Sequence, residues 1–222
     1  MRMRQILLIG QSGGIGGALK AGLEERECAV VGLSRSQQGF DFNQPEQAER
    51  ILSEMEPGFD GIIVASGVLT ASAEGPEKSL KDVTASELAA NFAVNCIGPA
   101  LVLKHAPRLL KRKSPSFCAV LSARVGSIGD NRFGGWYAYR AAKAALNQIV
   151  HTASIELART HRDHFCVVLH PGTVETTFTE NYKSAPKVAA PEAAGNLLSV
   201  LDGLTPADSG GFYDWAGKRV PW

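Results

Sequence analysis

Charge of one sign is what this sequence most lacks. Its 23 Lys+Arg stand against 22 Asp+Glu, a formal net charge of +1. No basic field exists to hold nucleic acid, and no acidic run marks a solvating tail. Cysteine is scarce as well. Cys28, Cys96, Cys118 and Cys166 are far apart, with no Cys-x-x-Cys pair. Such spacing excludes a disulfide framework and carries no metal-ligand signature, so reduced, mostly buried thiols are expected and no metal. Long hydrophobic runs are missing: nothing approaches the ~18 uninterrupted apolar residues of a membrane span. The basic start Met1-Arg2-Met3-Arg4 imitates a secretion signal, but its apolar run, Ile6-Leu7-Leu8-Ile9, stops at Gly10. That is short of the roughly 7–15 residues of an h-region. The expectation is a cytoplasmic protein with neither nucleic acid nor membrane as partner.

What is present is material for a core. Hydrophobic residues make up 45% of 222 residues, which excludes disorder and needs no covalent staple. One domain over residues 1–222 is expected. Short apolar runs predict strands at 5–9, 29–33, 40–42, 61–66, 117–122, 165–170 and 211–215. They are continuous rather than alternating, as in parallel strands covered on both faces. Helical periods fill the gaps at 14–27, 44–55, 86–110, 139–159 and 191–201. The alternation implies an α/β fold, a doubly wound, mostly parallel seven-stranded sheet with helices on both faces. Ligands of such sheets sit beyond the carboxyl ends of the strands.

The first strand ends in Gly10-Gln11-Ser12-Gly13-Gly14-Ile15-Gly16. Glycines there allow a tight turn, let the backbone approach a pyrophosphate, and leave helix N-terminal amides to bind it. The same residues also match Gly-x-Ser-x-Gly, the nucleophile elbow of hydrolases, with His170 and Asp163 or Asp208 as partners. A hydrolase draws part of its oxyanion hole from an upstream loop, and the nine residues before Gly10 hold only a strand. Dinucleotide binding is the better reading. After the second strand an acid would grip the ribose 2′-hydroxyl of NAD. The chain has Ser34-Arg35-Ser36 instead, and Arg35 with flanking hydroxyls suits a 2′-phosphate, which favours NADP(H) over NAD(H).

Tyr139 and Lys143 stand i,i+4 in the fourth helix, so both rise on one face. An ammonium beside a phenol favours phenolate and brings proton exchange closer to neutral pH. With the glycine turn and Asn95-Cys96-Ile97-Gly98-Pro99, Ser122–Ile128 and His170-Pro171-Gly172-Thr173-Val174-Glu175-Thr176, the chain resembles the short-chain dehydrogenases/reductases. It is most similar to their C-factor-like branch. The resemblance implies a Rossmann-type sheet and carbonyl–alcohol interconversion with NAD(P). It implies Tyr139 as general acid/base and Lys143 as the ribose holder that depresses the tyrosine. Asn95 would anchor a relay water at a helix kink, Thr176 would meet the carboxamide and Asp41 the adenine. Gly10, Ser12, Gly14, Ile15, Gly16, Ser34 and Arg35 complete the near half of the expected cofactor set. Ala65, Ser66, Gly67, Pro171, Gly172 and Val174 complete the far half.

Three departures stand out. Ile9 replaces the family's threonine, and Val64-Ala65-Ser66-Gly67 replaces Asn-Asn-Ala-Gly. Ala123 occupies the place of the substrate-binding serine, three before Gly126. Ser122 and Ser127 are the nearby hydroxyls. Strand alternation turns Ser122 away from the vacant position, whereas Ser127 shares its parity, so Ser127 is favoured. His105, His151, His161 and His164 read as surface or satisfied histidines, His170 as a strand cap, and Trp215 and Trp222 as core or subunit contacts. The sequence therefore predicts an NADPH-preferring reductase, or the reverse dehydrogenase, for a small carbonyl or alcohol. A fourteen-residue lid, 177–190, would cover the pocket, and helices 86–110 and 139–159 would build a homodimer or homotetramer. The alternative is an NADP(H)-binding sensor or signalling protein in which catalysis has faded.

Overall fold

The computed structural model describes residues 4–71, 74–180 and 186–222. Residues 1–3 of the signal-like start and 181–185 of the expected lid lie outside the described residues. The strands are β1 (Gln5–Ile9), β2 (Ala29–Leu33), β3 (Gly61–Val64), β4 (Ser116–Leu121), β5 (His164–His170) and β6 (Phe212–Asp214). They form one sheet in the order β2-β1-β3-β4-β5-β6, and every pairing is parallel. The helices are α1 (Gly14–Glu25), α2 (Arg35–Gln38), α3 (Pro45–Glu54), α4 (Ala85–Phe92), α5 (Gly98–Leu109), α6 (Tyr137–Leu157) and α7 (Ala190–Gly203).

Alternate residues of each strand feed opposite layers. Leu7, Ile9, Ile62 and Val120 pack with Leu52 of α3, Val102 of α5 and Leu146 of α6. Ile6, Leu8, Ile63 and Ala119 pack with Leu19 of α1 and Leu197 of α7. The two layers explain why the strands read as unbroken apolar runs. The chain runs outward from β1 to β2 and then returns to the other side of β1 as β3. This reversal opens a crevice at the carboxyl ends, where Gly10 N donates to Leu33 O (2.7 Å) and Ala65 N to Ile9 O (2.8 Å).

The expected seventh strand at 40–42 is not formed; six strands are found among the described residues. Phe40 and Phe42 are buried, 4% and 6% exposed, and their rings meet edge-on at 5.4 Å. Alternating burial mimics a strand here, but the backbone is committed elsewhere. The four residues of α2 turn the chain, Gly39 at φ +66° ends them, and Phe40 N donates back to Ser34 O. Phe42 fills the space a Cβ on Gly98 would take, 2.1 Å from its ring.

The helix expected at 86–110 is interrupted. Between α4 and α5, Ala93–Ile97 form a π-helical turn. The combined helix, Ala85–Leu109, is long and apolar enough to cross a membrane, yet 50% of its most apolar stretch is buried inside the protein. Its α5 half packs on the sheet through Val102, Ala106 and Leu109.

Truncating Phe42 tests the plug between α3 and α5. Phe42→Ala should cost about 3–5 kcal/mol, seen as a lower urea midpoint with an unchanged m-value.

Candidate active site

Three glycines build the turn after β1, each for a spatial reason. Gly10 sits at φ +90°, and a Cβ there would lie 2.7 Å from Ser66 Oγ. One on Gly16 would lie 2.0 Å from Gly10 O, and one on Gly14 2.5 Å from the Thr176 methyl. Helix α1 follows with Gly13 as N-cap, no side-chain cap and no acid in its first turn. Its leading amides are thus left for an anion. Ser12 is exposed on the turn and Ile15 half-buried beneath it.

At the end of β2, Ser34 is buried (3% exposed) while Arg35 is exposed. Gln38 Oε1 accepts from Ser34 N (2.9 Å) and Ser34 Oγ (3.2 Å). Gln11 Nε2 donates to Gln37 Oε1 (2.8 Å) and Gln38 Oε1 (3.2 Å). The Gln11 side chain crosses β2 where a Cβ on Gly32 would be, 1.8 Å from its oxygen. This amide bracket ties the glycine turn to α2 and was not legible in the sequence. Asp41 Oδ1 accepts from Asn43 N and Nδ2 in its own loop.

Helix α6 starts abruptly. Gly134 (φ +65°), Gly135 (φ +65°) and Trp136 (φ +56°) are successive left-handed residues. The strained entry is held by Glu77, whose main-chain oxygen accepts from Trp136 N (2.6 Å) and whose carboxylate accepts from Ala138 N. Tyr139 and Lys143 then enter the interior, 6% and 3% exposed. Lys143 Nζ donates to Leu121 O at 3.0 Å and stands 5.8 Å from the centroid of the Tyr139 ring. Burial pushes the phenol well above its ordinary value and brings the lysine down to about 7. Desolvation sets both shifts in the free protein, whereas the expected depression of Tyr139 belongs to the site with an oxidised nicotinamide beside the phenol.

The end of β4 faces the same helix. Ser122 Oγ donates to Asn147 Oδ1 (2.7 Å), one turn beyond Lys143. Ser127, 1% exposed, accepts from Asp130 N (3.1 Å), and Ala123 between them is half-buried. A Cβ on Gly126 would come within 2.8 Å of Lys143 Cβ, so glycine lets the loop lie against α6.

Asn95 lies in the π turn, fully buried. Its Nδ2 donates to Val68 O (2.8 Å) and Asn91 Oδ1 (2.6 Å), while its Oδ1 accepts from Val68 N (3.1 Å). Asn91 Nδ2 donates to Leu69 O (3.0 Å), and Glu87 Oε1 accepts from Ala71 N (2.8 Å). Glu87, Asn91 and Asn95 thus seam the helix to the loop after β3. Their i,i+4 spacing was the available signal. That loop carries Gly67, where a Cβ would lie 3.0 Å from Asn95 Oδ1 and 3.5 Å from Lys143 Nζ.

The loop after β5 closes the far side. His170 is half-buried at the end of β5, its Nδ1 is buried with no hydrogen-bond partner among the described residues, and desolvation lowers it to about 4. Pro171 is buried, Gly172 has φ +81°, and a Cβ there would meet the Trp215 indole at 3.1 Å. Trp215 is 49% exposed, so it lies beside this turn and not in the core. Val174 bridges to Val188, and Thr176 overlies Gly14. Among the described residues two aromatic rings flank Tyr139, Trp136 at 6.3 Å and Phe178 at 5.9 Å. Neither was singled out from the sequence, although Phe178 falls within the expected lid.

The comparisons agree with this geometry. A family model described as enoyl-(acyl carrier protein) reductase matches residues 18–206. The chain is 37% identical over 144 residues to the C-signal of Myxococcus xanthus, covering 65% of this chain and 84% of that protein. It is 27% identical over 237 residues to a 1-hydroxy-2-glutathionyl-2-methyl-3-butene dehydrogenase of Rhodococcus sp. (strain AD45), covering 99% and 100%. Among solved structures, a short-chain dehydrogenase/reductase from Burkholderia multivorans with bound NADP superposes with a TM-score of 0.84 at 26% identity, covering 100% of both chains. The carbonyl reductase Sniffer of D. melanogaster has the same fold, with a TM-score of 0.84 at 24% identity over 100% of both chains.

The buried lysine gives the site a measurable pH signature. Between pH 7 and 10.5 the unfolded lysine holds a proton that the folded one has released. Stability attributable to this position should therefore rise with pH across that window. Relative to Lys143→Met, the parent should gain on the order of 3 kcal/mol from neutral pH to the upper end. Urea denaturation of the free proteins at several pH values measures it. A constant difference would mean a solvated lysine.

Proposed function

The chain belongs to the short-chain dehydrogenase/reductase family, and from that we propose an NADP(H)-dependent oxidoreductase that interconverts a small carbonyl and its alcohol. The observation that carries the reading is the buried Tyr139–Lys143 pair beside an uncapped glycine-rich helix terminus. The residues fit the cofactor. Gly10, Gly14 and Gly16 leave a cradle that Cβ atoms would obstruct, and at the end of β5 the His170 Nδ1 has no partner among the described residues. The amides of Gly14, Ile15 and Gly16 with Ser12 would hold the pyrophosphate, and Arg35 with Ser34 the 2′-phosphate. Ala65, Ser66 and Gly67 would border the adenosine ribose, Lys143 the nicotinamide ribose, and Pro171, Gly172, Val174 and Thr176 the carboxamide. Asp41 would reach the adenine. The NADP-bound relative from Burkholderia multivorans supports the preference for the phosphorylated form.

When bound, the cofactor supplies or accepts the hydride. This chain's residues manage the proton. For reduction Tyr139 must start as a protonated phenol, and burial keeps it so. The phenol then donates to the carbonyl oxygen as charge develops there. Lys143, desolvated and poised about 7, gains most from a nearby anion and so restrains the phenolate left behind. Asn95 is held by its side chain, and its main chain lies in the π turn, where a relay water would be received. Ser127 is proposed as the second donor to the substrate oxygen. It is buried in the loop beyond β4, and the hydroxyl that accepts from Asp130 N still carries a proton to donate. Ser122 spends its proton on Asn147. A cytoplasmic location fits four unpaired cysteines. Self-association through α5 and α6 is supported by an apolar groove between them at Leu103, Pro107, Ile149 and Ala153. The binding-only reading is favoured by one observation, Ala123 in place of a donor.

NADPH should bind at least about tenfold more tightly than NADH, or about 1.4 kcal/mol, and Arg35→Ala should erase most of that gap in a fluorescence titration. Tyr139→Phe should keep the affinity yet lose roughly 10²-fold or more in carbonyl-dependent NADPH oxidation. Tight binding with no turnover over a broad carbonyl panel would establish the sensor reading instead.

On one good carbonyl, Ser127→Ala should lower kcat on the order of 10²-fold, the loss of one oxyanion donor. Ser122→Ala should change it much less. The reverse ranking would move the role to Ser122, and no loss from either would leave Tyr139 as the donor.

A further inference from the structure

The beginning of β4 and β5, the end remote from Tyr139, holds polar groups that the proposed chemistry does not use. Cys118 and Cys166 are register partners on adjacent strands, and both are fully buried. His164 precedes Cys166 by two residues and shares its face of the sheet. The two sulfurs and a ring nitrogen of His164 all lie within 4.8 Å of one another. His161, in the turn between α6 and β5, places its ring 6.0 Å from that of His164. The chain thus reads His161-x-x-His164-x-Cys166, with Cys118 brought in from β4. Both the expected lack of a Cys/His cluster and the reading of these histidines as surface or satisfied are corrected by the fold. Cys118 lies too far away in sequence to show a ligand spacing.

The two imidazoles are held alike. Nδ1 of His161 faces Thr160 Oγ1 at 2.9 Å, and Nδ1 of His164 faces Ser116 Oγ at 3.3 Å. In both rings Nε2 lacks a partner of hydrogen-bond geometry among the described residues, although the main chain of Leu110 approaches the His161 ring and that of Ser116 the His164 ring; the residues are only 1% and 3% exposed. Leaving such nitrogens bare is destabilising. A ring with one nitrogen tied to a neighbouring oxygen and the other bare is the arrangement found in metal-bound histidines. Elsewhere in the core, by contrast, Cys96 has no such neighbours among the described residues.

We propose that Cys118, Cys166 and His164, with His161 as the adjoining fourth ligand, form a structural site for a zinc-type cation. Thiolate and imidazole are the ligands such a cation prefers, and a closed, buried set is structural rather than catalytic. Each thiol would release its proton to solvent on binding, and two thiolates balance the dication. No redox change is involved. The bound ion would fasten β4, β5 and the turn after α6 at the end of the sheet away from the active site.

The test uses the full chain, reduced and freed of metal, titrated with Co²⁺ as a spectroscopic stand-in. One equivalent should give a thiolate-to-cobalt charge-transfer band and the intense visible bands of four-coordinate cobalt, both abolished by added Zn²⁺. Cys28→Ala and Tyr139→Phe should behave like the parent, so that failure of the enzymatic reading leaves this result untouched. Cys118→Ala and His164→Ala should lose the bands. Because core variants can unfold, the unmodified protein supplies a second measure. Zn²⁺ should slow alkylation of Cys118 and Cys166 in mild urea at least about tenfold, by peptide mass analysis, while Cys28 labels equally. Absence of the charge-transfer band at excess Co²⁺, its survival in Cys118→Ala, or unprotected thiols would overturn the proposal.

Discussion

A lysine nitrogen pressed onto a main-chain carbonyl in a nearly dry interior is the constraint around which the site is arranged. Leu121 is the last residue of β4, so the bond from Lys143 Nζ fixes α6 against the carboxyl end of the sheet. Everything adjacent must then be small. Gly126 lies against the Lys143 backbone, and Gly67 approaches its nitrogen. The ammonium is costly to hold there, as its fall to about 7 shows. A group whose charge is this poorly solvated responds strongly to any anion that enters, which suits a site that must stabilise transient negative charge.

Two polar stripes share this burden. Tyr139, Lys143 and Asn147 recur every four residues along α6, and the last two meet Leu121 O and the Ser122–Gly126 stretch. Glu87, Asn91 and Asn95 recur every four residues along the neighbouring helix and hold the loop from Val68 to Ala71. Buried polar side chains are tolerable when they find partners, and here those partners include the last carbonyl of β4 and backbone groups of the loops after β3 and β4. Stability and positioning come from the same bonds.

Features governed by chain-local chemistry were legible in the sequence. The Gly10–Gly16 turn, the continuous apolar strands and the Tyr139/Lys143 spacing each follow from one segment's own geometry. Features that depend on what lies opposite were not. Phe40 and Phe42 alternate like a strand because both rings are needed in the core, yet their backbone turns away from β2. Gln11 finds Gln37 and Gln38 only once β1 and β2 lie side by side. Trp136 and Phe178 reach Tyr139 from opposite ends of different loops. His161 and His164 reveal nothing by spacing until β4 delivers Cys118. The sequence shows a cation beside Tyr139 but not how completely both groups are desolvated in the free protein.

The π turn at Ala93–Ile97 has a consequence for how this chain can vary. Such a turn amounts to one surplus residue in an otherwise α-helical count. The segment before it is phased to the loop after β3 through Glu87 and Asn91, and the segment after it to the sheet through Val102 and Ala106. Each residue of an α-helix advances about 100°, so no unbroken helix of the same length could satisfy both phases. An insertion or deletion anywhere between Glu87 and Val102 is therefore a rotation before it is a change in length. It would turn one half's contacts toward the wrong neighbour even where every side chain was kept.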